Sequence, residues 1–588
     1  MPFIKKGAAT ALALAFTGLS AQASTTAAHV LIQHEGPFME DAQAATGGAA
    51  LKKLHGHVPA ATKNMADQGK VDDGQQMPIT VALSLNNQDQ LDSELTQMYK
   101  AGSSSFHQFM TPDEFRAKYA PTQDQIEQVK SYLISEGIVP TSVDDNQLLV
   151  HATGSAKAVS TALHTEIHSY KDPQGKAYFA PAYEIQTKAT MPIQSVVGLS
   201  NVNQAKSHAI QKKSEASSQT SSQGAGTNPS ASAPKDGTGP DQGLSPANIR
   251  SAYNLPANMN GAGQTLAVFE LDGYVASDIT AYETNFGLPN VPLQNVLVDS
   301  ADGSASGVSA EVTLDIELEI AVAPGAAKIL VYEGPNGDQG IIDTYARMAN
   351  DNLAKEIGTS WGSSEQGSAP ATLQAESAIF QQMAAQGQSI LSAAGDNGSN
   401  DDGSGLSVDD PSSQPYVTGV GGTSLTINPD GSYGSETTWN DGGGAGGGGV
   451  SGTWTQPTWQ NSVVSAATLG STTMRNVPDV SLEADTSVGY SIYWQGSWSV
   501  WGGTSCAAPL WAGYAALVNQ QRQAAGKGDI GFMNPALYAI GAGARYGTDF
   551  HDIADNSNNG HYPAVKGYDD ATGWGSFNGQ NLFQDLIN

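Results

Sequence analysis

The stretch GGTSCAAP, residues 502–509, has the residue types of a nucleophile placed at the start of a helix. Ser505 lies between small residues, and the sequence that follows, SCAAPLWAGYAALVNQQ, predicts a helix. A serine hydroxyl becomes an effective nucleophile only when a neighbouring group takes its proton, and in most serine hydrolases that group is a histidine. The motif therefore raises the question of which residue acts as the base.

Histidines are scarce in the part of the chain that contains this motif. After Leu244 only His551 and His561 occur, and both follow the GGTSCAAP motif. This excludes the order in which Asp and His precede the nucleophile, as in subtilisin. The order Ser, Asp, His stays open, because GTSWG matches a nucleophile elbow around Ser360. A loop-like stretch, GSSEQGSAPAT, follows Ser360 where an elbow requires a helix, which disfavours this esterase-like alternative.

A pair of carboxylates could replace the histidine. In SAEVTLDIELEIA, Glu311 and Asp315 are spaced i, i+4, which on a helix puts them on one face with Cβ atoms about 6 Å apart. One carboxylate could then take the serine proton while the other orients it. Apolar and polar residues alternate from Val312 to Ile320, however, as in a half-buried strand. On a strand the two acids would be about 13 Å apart, so the local pattern favours a structural role for them.

The side chains of two further residues near these motifs are of types that can take part in catalysis. Asp396 follows the apolar run SILSAAG at a turn, and a protonated aspartic acid there could donate a hydrogen bond to a developing oxyanion. Its alternative role is that of an ordinary turn former. Cys506 is the only cysteine, so no intramolecular disulfide forms, and we expect it to be a buried, inert residue.

Together these motifs resemble those of the sedolisins, the serine-carboxyl peptidases. The similarity lies in GGTSCAAP, AEVTLDIE and SAAGDNG, with support from LSPANIRSAYNLP, AVFELDGY, GTSWGS, GGGAGGGGVSGTW and RNVPDVSLEAD. HQFMTPDEFRAKYAPT is similar to the activation domain of that family. The resemblance implies an α/β fold with a subtilisin-like parallel sheet and helices on both faces. It also implies a preceding small α/β, ferredoxin-like pro-domain.

The resemblance also implies roles for individual residues. Ser505 would be the nucleophile, Glu311 the general base on a helix, and Asp315 its orienting partner. Asp396 would complete the oxyanion hole. Two more residues resemble those that extend the acid network in some members: Glu270 and Trp361.

The C-terminal stretch FHDIADNSNNGHYPAVKGYDDATGWG looks like the calcium loop of the family. Carboxylates and backbone carbonyls supply the hard oxygen ligands that calcium requires. The matching positions are the side chains of Asp552 and Asp569 and the carbonyls of Ile553, Val565 and Gly567. The resemblance thus implies one structural calcium ion, whereas the loop on its own would also suit a solvated turn.

The chain divides into four parts by composition. Residues 1–23 have two lysines, a short apolar run and small residues at their end, which predicts a secretory signal. Residues 24–205 contain helix and strand signals, including the capping boxes Thr111–Glu114 and Thr122–Gln125, and are expected to form the pro-peptide activation domain. Residues 206–243 are rich in Ser, Gly, Ala and Pro and predict a flexible, cleavable linker. Residues 244–588 alternate strand and helix signals and form the expected catalytic domain.

The negative charge is concentrated in the expected catalytic domain. From Leu244 onward there are 9 Lys and Arg against 35 Asp and Glu, a net charge of -26 out of -30 for the whole chain. Such a surface repels nucleic acid and anionic lipid, and its self-repulsion decreases as carboxylates become protonated near pH 4. The charge therefore fits a protein that works in acid, although it would equally keep any exported protein soluble.

These observations predict an exported, acid-acting serine-carboxyl endopeptidase made as a self-processing zymogen. We expect polypeptide substrates, a monomer, and a pro-domain that serves as intramolecular inhibitor and chaperone, with no nucleic acid and no membrane as partner. Export to the medium is expected, with a periplasm left open. The alternatives are a catalytically silent, calcium-stabilised binding protein and a histidine-dependent esterase that uses Ser360.

Overall fold

The computed structural model describes residues 42–43, 50–213, 237–461, 463–464 and 467–588. The predicted signal (1–23) and the middle of the predicted linker (214–236) lie outside the described residues. In the described part, no helix is long and apolar enough to cross a membrane.

In its described residues, the N-terminal domain combines antiparallel sheets with four α-helices. Its strands are β1 (Ala42–Gln43), β2 (Leu51–Leu54), β3 (Ala66–Lys70), β4 (Gln76–Leu83), β5 (Val139–Val143), β6 (Leu149–Ser155), β7 (Ile167–Lys171), β8 (Ala177–Pro181), β9 (Ile185–Lys188) and β10 (Ile193–Val197). Its helices are α1 (Gln88–Met98), α2 (Pro112–Tyr119), α3 (Gln123–Ser135) and α4 (Ala156–Ala162). The largest sheet has the order β10-β4-β6-β5, and its apolar face packs on α3 and α4. Both predicted capping boxes are present, at the starts of α2 and α3.

The predicted linker begins with extended chain. Its first residues form β11 (Lys206–Ser207) and β12 (Ile210–Gln211), which pair with strands of the C-terminal domain. This differs from the expectation of flexibility along the whole linker, because the partner strands supply hydrogen bonds that composition alone does not reveal.

The C-terminal domain, residues 244–588, alternates strands and helices. Its strands are β13 (Thr265–Glu270), β14 (Leu293–Leu297), β15 (Lys328–Glu333), β16 (Glu356–Thr359), β17 (Trp361–Ser364), β18 (Ser389–Ala393), β19 (Asp409–Asp410), β20 (Thr418–Ile427), β21 (Tyr433–Thr438), β22 (Gly449–Thr455), β23 (Met474–Val477), β24 (Val480–Glu483), β25 (Tyr490–Trp494), β26 (Ser497–Gly502), β27 (Phe550–His551) and β28 (Ser576–Phe577). Its helices are α5 (Pro246–Ala252), α6 (Ala276–Phe286), α7 (Ala310–Val322), α8 (Asp338–Asp351), α9 (Pro370–Ala385), α10 (Thr504–Ala524), α11 (Asn534–Gly541), α12 (Tyr546–Asp549) and α13 (Gly579–Leu586).

The central sheet has the order β14-β15-β13-β16-β18-β20-β21, with β24 also paired to β20. All of its pairs are parallel except β20 with β21. Successive residues of β13 face opposite sides: Leu266 and Val268 pack in the core that contains α7 and α10, whereas Ala267 and Phe269 pack in the core that contains α8 and α9. The predicted parallel α/β sheet with helices on both faces is therefore confirmed.

Helix α7 carries both Glu311 and Asp315, so the strand interpretation of this segment is wrong. All 13 residues of α7 are buried, polar ones included. The alternation of apolar and polar residues therefore does not separate a buried face from an exposed face. For this reason hydrophobic periodicity does not identify the segment as a helix. Helix α7 packs on α10, where Gly513 permits the contact: a Cβ at this position would lie 2.8 Å from Cβ of Val322.

The N-terminal domain docks on the outer helices of the C-terminal domain. Leu91, Leu95 and Phe115 pack in one cluster with Ala384 and Ala385 from the end of α9. Beyond the end of this domain the chain continues into β11 and β12, which pair with β17 and with β26, the strand that precedes α10.

Candidate active site

Ser505 lies in the first turn of α10, directly after the strand β26. Gly503 makes the turn between them with φ of 100°, a conformation that side-chain-bearing residues rarely adopt. The serine is fully buried, and its Oγ donates a hydrogen bond to Glu311 Oε2 at 3.0 Å. The nucleophile candidate therefore contacts a carboxylate rather than an imidazole.

Asp315 lies one turn after Glu311 on α7, and both side chains are buried. Ser360 Oγ donates to Asp315 Oδ1 at 2.8 Å, and the indole of Trp361 donates to Glu270 Oε2 at 2.8 Å. A hydrogen bond from Glu270 also reaches Asp315. The structure thus brings together the four residues that the resemblance associates with one another: Glu311, Asp315, Glu270 and Trp361.

Burial raises the pKa values of these acids. It raises the pKa of Glu311 to about 7, against the opposing hydrogen bonds of Ser207 and Ser505. Burial together with the neighbouring Glu311 charge raises the pKa of Asp315 well above its usual range, and burial raises that of Glu270 similarly. Several of the carboxylate oxygens receive no hydrogen bond from other donors in the described part of the chain, so the acids must share protons among themselves.

Asp396 follows β18 and faces the start of α10. Its Oδ1 accepts hydrogen bonds from the backbone N–H and the hydroxyl of Thr504, both at 2.8 Å. Its Oδ2 is buried without a hydrogen-bond partner among the described residues and lies 2.6 Å from the position that a Cβ on Gly503 would take. Burial raises the pKa of Asp396 to about 6. A protonated Oδ2 would therefore have an O–H to donate into the space beside Ser505.

A segment that sequence reasoning missed fills this space. Residues 206–207 pair antiparallel with β17, and residues 210–211 pair antiparallel with β26, so the chain crosses in front of Ser505. The N–H of Ser505 donates to the His208 carbonyl at 3.4 Å, and the His208 N–H donates to the Ser360 carbonyl at 3.3 Å. No apolar alternation in KSHAIQ marks these two short strands, so composition alone assigns residues 206–211 to the predicted linker.

His208 brings an imidazole near the nucleophile, but not as a base. Its Nε2 lies 3.3 Å from Asp409 Oδ2. Burial lowers the pKa of His208, yet the carboxylates of Asp409, Asp396 and Asp401 outweigh burial and raise this pKa to about 10. A ring that stays protonated cannot accept the proton of Ser505.

The esterase-like arrangement around Ser360 is not formed. Ser360 lies between two strands, β16 and β17, and not at the start of a helix. Its hydroxyl donates to Asp315, while His551 bonds Ser576 and stacks on Tyr433 at 3.6 Å between ring centroids. His561 contacts Tyr562. The interpretation of Ser360 as a nucleophile is therefore wrong.

Oxygen atoms of the predicted calcium loop lie close to the hydroxyl of Tyr546. The Tyr546 hydroxyl lies 2.9 Å from Asp552 Oδ1 and 3.5 Å from the Gly567 carbonyl oxygen. Asp569 is held by the N–H groups of Thr572 and Val565, and burial raises its pKa to about 7. Among the described residues, no group of three or more His, Cys, Asp or Glu side chains is arranged to hold a metal. A calcium ion here would depend on two carboxylates plus carbonyls, and the loop supplies both kinds of ligand.

Comparison with known proteins agrees with this architecture. Residues 63–202 match the pro-kumamolisin activation domain, and residues 296–536 match the subtilase family. The chain is 32% identical over 556 residues to kumamolisin of Bacillus sp. (strain MN-32), covering 91% of this chain and 96% of that protein. It is 32% identical over 532 residues to sedolisin of Pseudomonas sp. (strain 101), covering 86% of each. The solved structure of Pseudomonas sedolisin with two molecules of pseudo-iodotyrostatin aligns with a TM-score of 0.53 at 30% identity, over 58% of this chain and 97% of that one.

The parallel sheet, the serine at the start of a buried helix and the matching subtilase region define a serine peptidase of the subtilisin-like class. Within that class, the chain belongs to the sedolisin family of serine-carboxyl peptidases. Because it contains an activation domain as well as a peptidase domain, it has the organisation of a zymogen.

Proposed function

We propose that this protein is an acid-acting serine-carboxyl endopeptidase that processes its own precursor. The observation that supports this most directly is the hydrogen bond from Ser505 Oγ to Glu311 Oε2, 3.0 Å long, beside a peptide carbonyl that accepts from the Ser505 N–H. Nucleophile, base and substrate-like carbonyl are thereby within reach of one another.

In the first half-reaction, Ser505 Oγ attacks the substrate carbonyl carbon while Glu311 takes its proton. Glu311 returns this proton to the amine of the leaving fragment, which departs as the peptide C–N bond breaks. Water then attacks the acyl-enzyme by the same route. Asp315, behind Glu311 on α7, holds the base in position and stabilises its protonated form.

The oxyanion that forms on the carbonyl oxygen receives hydrogen bonds from two directions. One donor is the Ser505 backbone N–H, and the other is the protonated carboxyl of Asp396. Burial of Asp396 raises its pKa to about 6, so this carboxyl stays neutral in acid. At higher pH it becomes a carboxylate and repels the oxyanion, which restricts activity to acid.

Endopeptidase activity fits the path of the segment through the cleft. The chain continues on both sides of Ser505, along β17 before it and along β26 after it. A cleft open in both directions accommodates the interior of a polypeptide. The same segment, with the docked N-terminal domain, would block substrates until it is cut, which accounts for a zymogen.

Two further features complete the proposal. The two carboxylates and carbonyls around Tyr546 would hold one calcium ion that stabilises the C-terminal loop, with Asp552 and Asp569 as its charged ligands. The N-terminal signal motif in residues 1–23 would direct export, and the acidic surface would suit an acidic medium.

The test compares the full-length protein with Ser505→Ala at pH 4, by intact mass and by digestion of an unfolded protein substrate. We expect the unmodified chain to shorten and to digest substrate, and Ser505→Ala to do neither. Identical behaviour of the two proteins would contradict the proposal and favour a binding protein that retains the peptidase fold.

A further inference from the structure

The loop between β15 and α8 binds the main chain of the segment that crosses the cleft. In this loop, Asn336 Oδ1 accepts a hydrogen bond from the Ala205 N–H at 2.9 Å, and Asn336 Nδ2 donates to the Ala205 carbonyl at 2.8 Å. One side-chain amide therefore satisfies both backbone groups of a single residue, as the opposite residue of an antiparallel strand pair would.

Ala205 has a defined place relative to the nucleophile. The carbonyl that accepts from the Ser505 N–H belongs to His208, and Ala205 is the fourth residue when the count runs backwards and starts at His208. The His208 N–H and residues 206–207 are hydrogen-bonded on the side of β17. Because the backbone groups of successive residues in an extended chain point to opposite edges, β17 binds one edge of the segment and Asn336 binds the other.

The contact at Ala205 involves the main chain and not a side chain. Every amino acid except proline presents the same N–H and carbonyl to Asn336, so the contact is available to polypeptides of unrelated sequence. Farther from the nucleophile, by contrast, Asn203 uses its own side-chain amide to donate to Asp338 at 3.1 Å. That second contact depends on the sequence of the precursor, whereas the contact at Ala205 suits a general substrate.

The Ala205 contact is shielded from water. Ala205 is only 9% exposed, and it packs in the apolar cluster that also contains Leu271 and Trp361. Hydrogen bonds in such surroundings are stronger than at an exposed surface, and leaving one partner unpaired is costly. The contact therefore has the features of a binding site and not of a chance surface contact.

Close packing fixes the loop that carries Asn336. A Cβ on Gly334 would lie 2.0 Å from Thr344 Oγ1, and a Cβ on Gly340 would lie 2.2 Å from the Pro335 carbonyl oxygen. The loop thus lies directly against the first turns of α8. A binding group on a fixed element loses little conformational freedom when a ligand arrives.

Glu270 connects this loop with β17. Its backbone carbonyl accepts from the Gly334 N–H at 2.9 Å, and its carboxylate accepts from the indole of Trp361, the first residue of β17, at 2.8 Å. The two sides of the cleft that hold residues 205–208 are therefore attached to one residue at the end of β13.

We propose that Asn336 is a substrate-binding residue of this peptidase and holds the main chain of the fourth residue before the scissile bond. This inference rests on the proposed function and deepens it by naming the substrate class. The enzyme acts best on polypeptides that extend at least four residues before the bond that is cut. A tripeptide released from a free N-terminus has no fourth residue, so the contact favours cleavage within a chain.

The contact promotes the reaction by positioning the substrate. With both edges of the substrate held, the carbonyl of the residue before the scissile bond is placed beside Ser505. Remote binding of this kind raises kcat/KM. Each hydrogen bond to Asn336 should contribute roughly three- to tenfold.

The first experiment varies the length of the substrate. The full-length protein processes itself at pH 4, and the matured enzyme is assayed with two acetylated peptides that have three or four residues before the same scissile bond. The acetyl group of the shorter peptide supplies the carbonyl at the fourth position but not the N–H. We expect kcat/KM to be roughly fivefold or more higher for the longer peptide, and this ratio to fall below about twofold in Asn336→Ala.

The ratio of the two peptides is taken within each variant, so it does not depend on how much enzyme has matured. Gln339→Ala is the matched control, because Gln339 lies in the first turn of α8 but donates to Thr80 of the N-terminal domain. It should keep the ratio of the unmodified enzyme. An equal ratio in Asn336→Ala and the unmodified enzyme would overturn the inference.

The second experiment removes a single N–H from the substrate. In the longer peptide, alanine at the fourth position before the scissile bond is replaced by lactic acid, so that an ester oxygen stands where the N–H was. We expect kcat/KM to fall roughly fivefold in the unmodified enzyme and less than about twofold in Asn336→Ala. The first of these comparisons needs no substituted protein, so it tests the contact even where Asn336→Ala does not fold. An unchanged rate for the ester on the unmodified enzyme would contradict the proposal.

These outcomes separate the two levels of the proposal. If the unmodified chain neither matures nor cleaves peptides, or if Ser505→Ala does both, the proposed function fails. If cleavage depends on Ser505 but gains nothing from the fourth residue, only the inference about Asn336 fails, and its contact with Ala205 belongs to the packing of the precursor.

Discussion

Ser505 Oγ and Glu311 Oε2 lie 3.0 Å apart, and Asp315 follows Glu311 by one turn of the same buried helix. Because the nucleophile begins α10 and the base begins α7, the direct packing of these two helices fixes the distance between the reacting groups. Catalytic geometry in this protein is therefore a property of the core and not of surface loops.

Replacing Glu311 by glutamine keeps the shape of this pair but removes the base. We expect Glu311→Gln to lower kcat for peptide hydrolysis by about three decades or more, because general-base assistance and nucleophile activation are lost together. Glu317→Gln is the matched control, since Glu317 is buried on the same helix but bonds the backbone N–H of Tyr493. Comparable losses in the two variants, at equal melting temperature, would argue against Glu311 as the base.

Asp396 is expected to set the upper pH limit of activity. Its carboxyl must be protonated to donate, and burial raises its pKa to about 6, so activity should fall as pH rises through that region. Asp396→Ala should lower kcat by about two to three decades. Asp396→Asn keeps an acceptor for Thr504 and has an N–H donor that does not ionise, so its pH profile should extend towards neutrality. An unchanged upper limit in Asp396→Asn would assign that limit to another group.

The lower pH limit should differ between precursor and mature enzyme. Burial in the closed precursor raises the pKa of Glu311 to about 7, and only its ionised form accepts a proton. Release of the covering segment admits water and should lower this pKa towards the usual value of about 4.3. The acid limb of self-processing should therefore lie at least ~1 pH unit above the acid limb of peptide hydrolysis by the mature enzyme. The two pH profiles are measured by quenched mass analysis and by peptide assay, and their acid limbs would coincide if the segment had no such effect.

Calcium should stabilise the C-terminal loop. Titration of metal-depleted Ser505→Ala with calcium should show one site by calorimetry and raise the melting temperature, because a ligand that binds the native state alone stabilises it. Asp552→Asn should abolish both effects. Asp555→Asn is the control, since Asp555 bonds Ser557 and does not lie at a predicted ligand position. A calcium-independent melting temperature in the parent protein would exclude the site.

Sequence reasoning succeeded where the signal is local. The capping boxes at Thr111 and Thr122 were found because they depend on residues three positions apart, and the helix after Ser505 followed from its own composition. The acid pair on α7 was recognised only by resemblance, since complete burial removes the periodicity that distinguishes a helix from a strand. The contact between His208 and Asp409 has no local signal, because the two residues lie far apart in the sequence and meet only when residues 206–211 cross the cleft.

The buried acids of α7 should make the fold more stable in acid than near neutrality. Glu319 is fully buried, and neither of its carboxyl oxygens has a hydrogen-bond partner among the residues that the structure describes. Burial raises its pKa well above the usual range. Its folded-state pKa exceeds its unfolded-state pKa, so the stabilising contribution is complete below about pH 4.5 and declines as pH rises towards the folded-state value. The slope is about 1.4 kcal/mol per pH unit for one such group. In the Ser505→Ala background, which avoids self-digestion, Glu319→Gln should leave the melting temperature at pH 4 nearly unchanged and raise it by ~2–4 °C or more at pH 7.5. Equal shifts at both pH values would mean that ionisation of Glu319 does not limit stability.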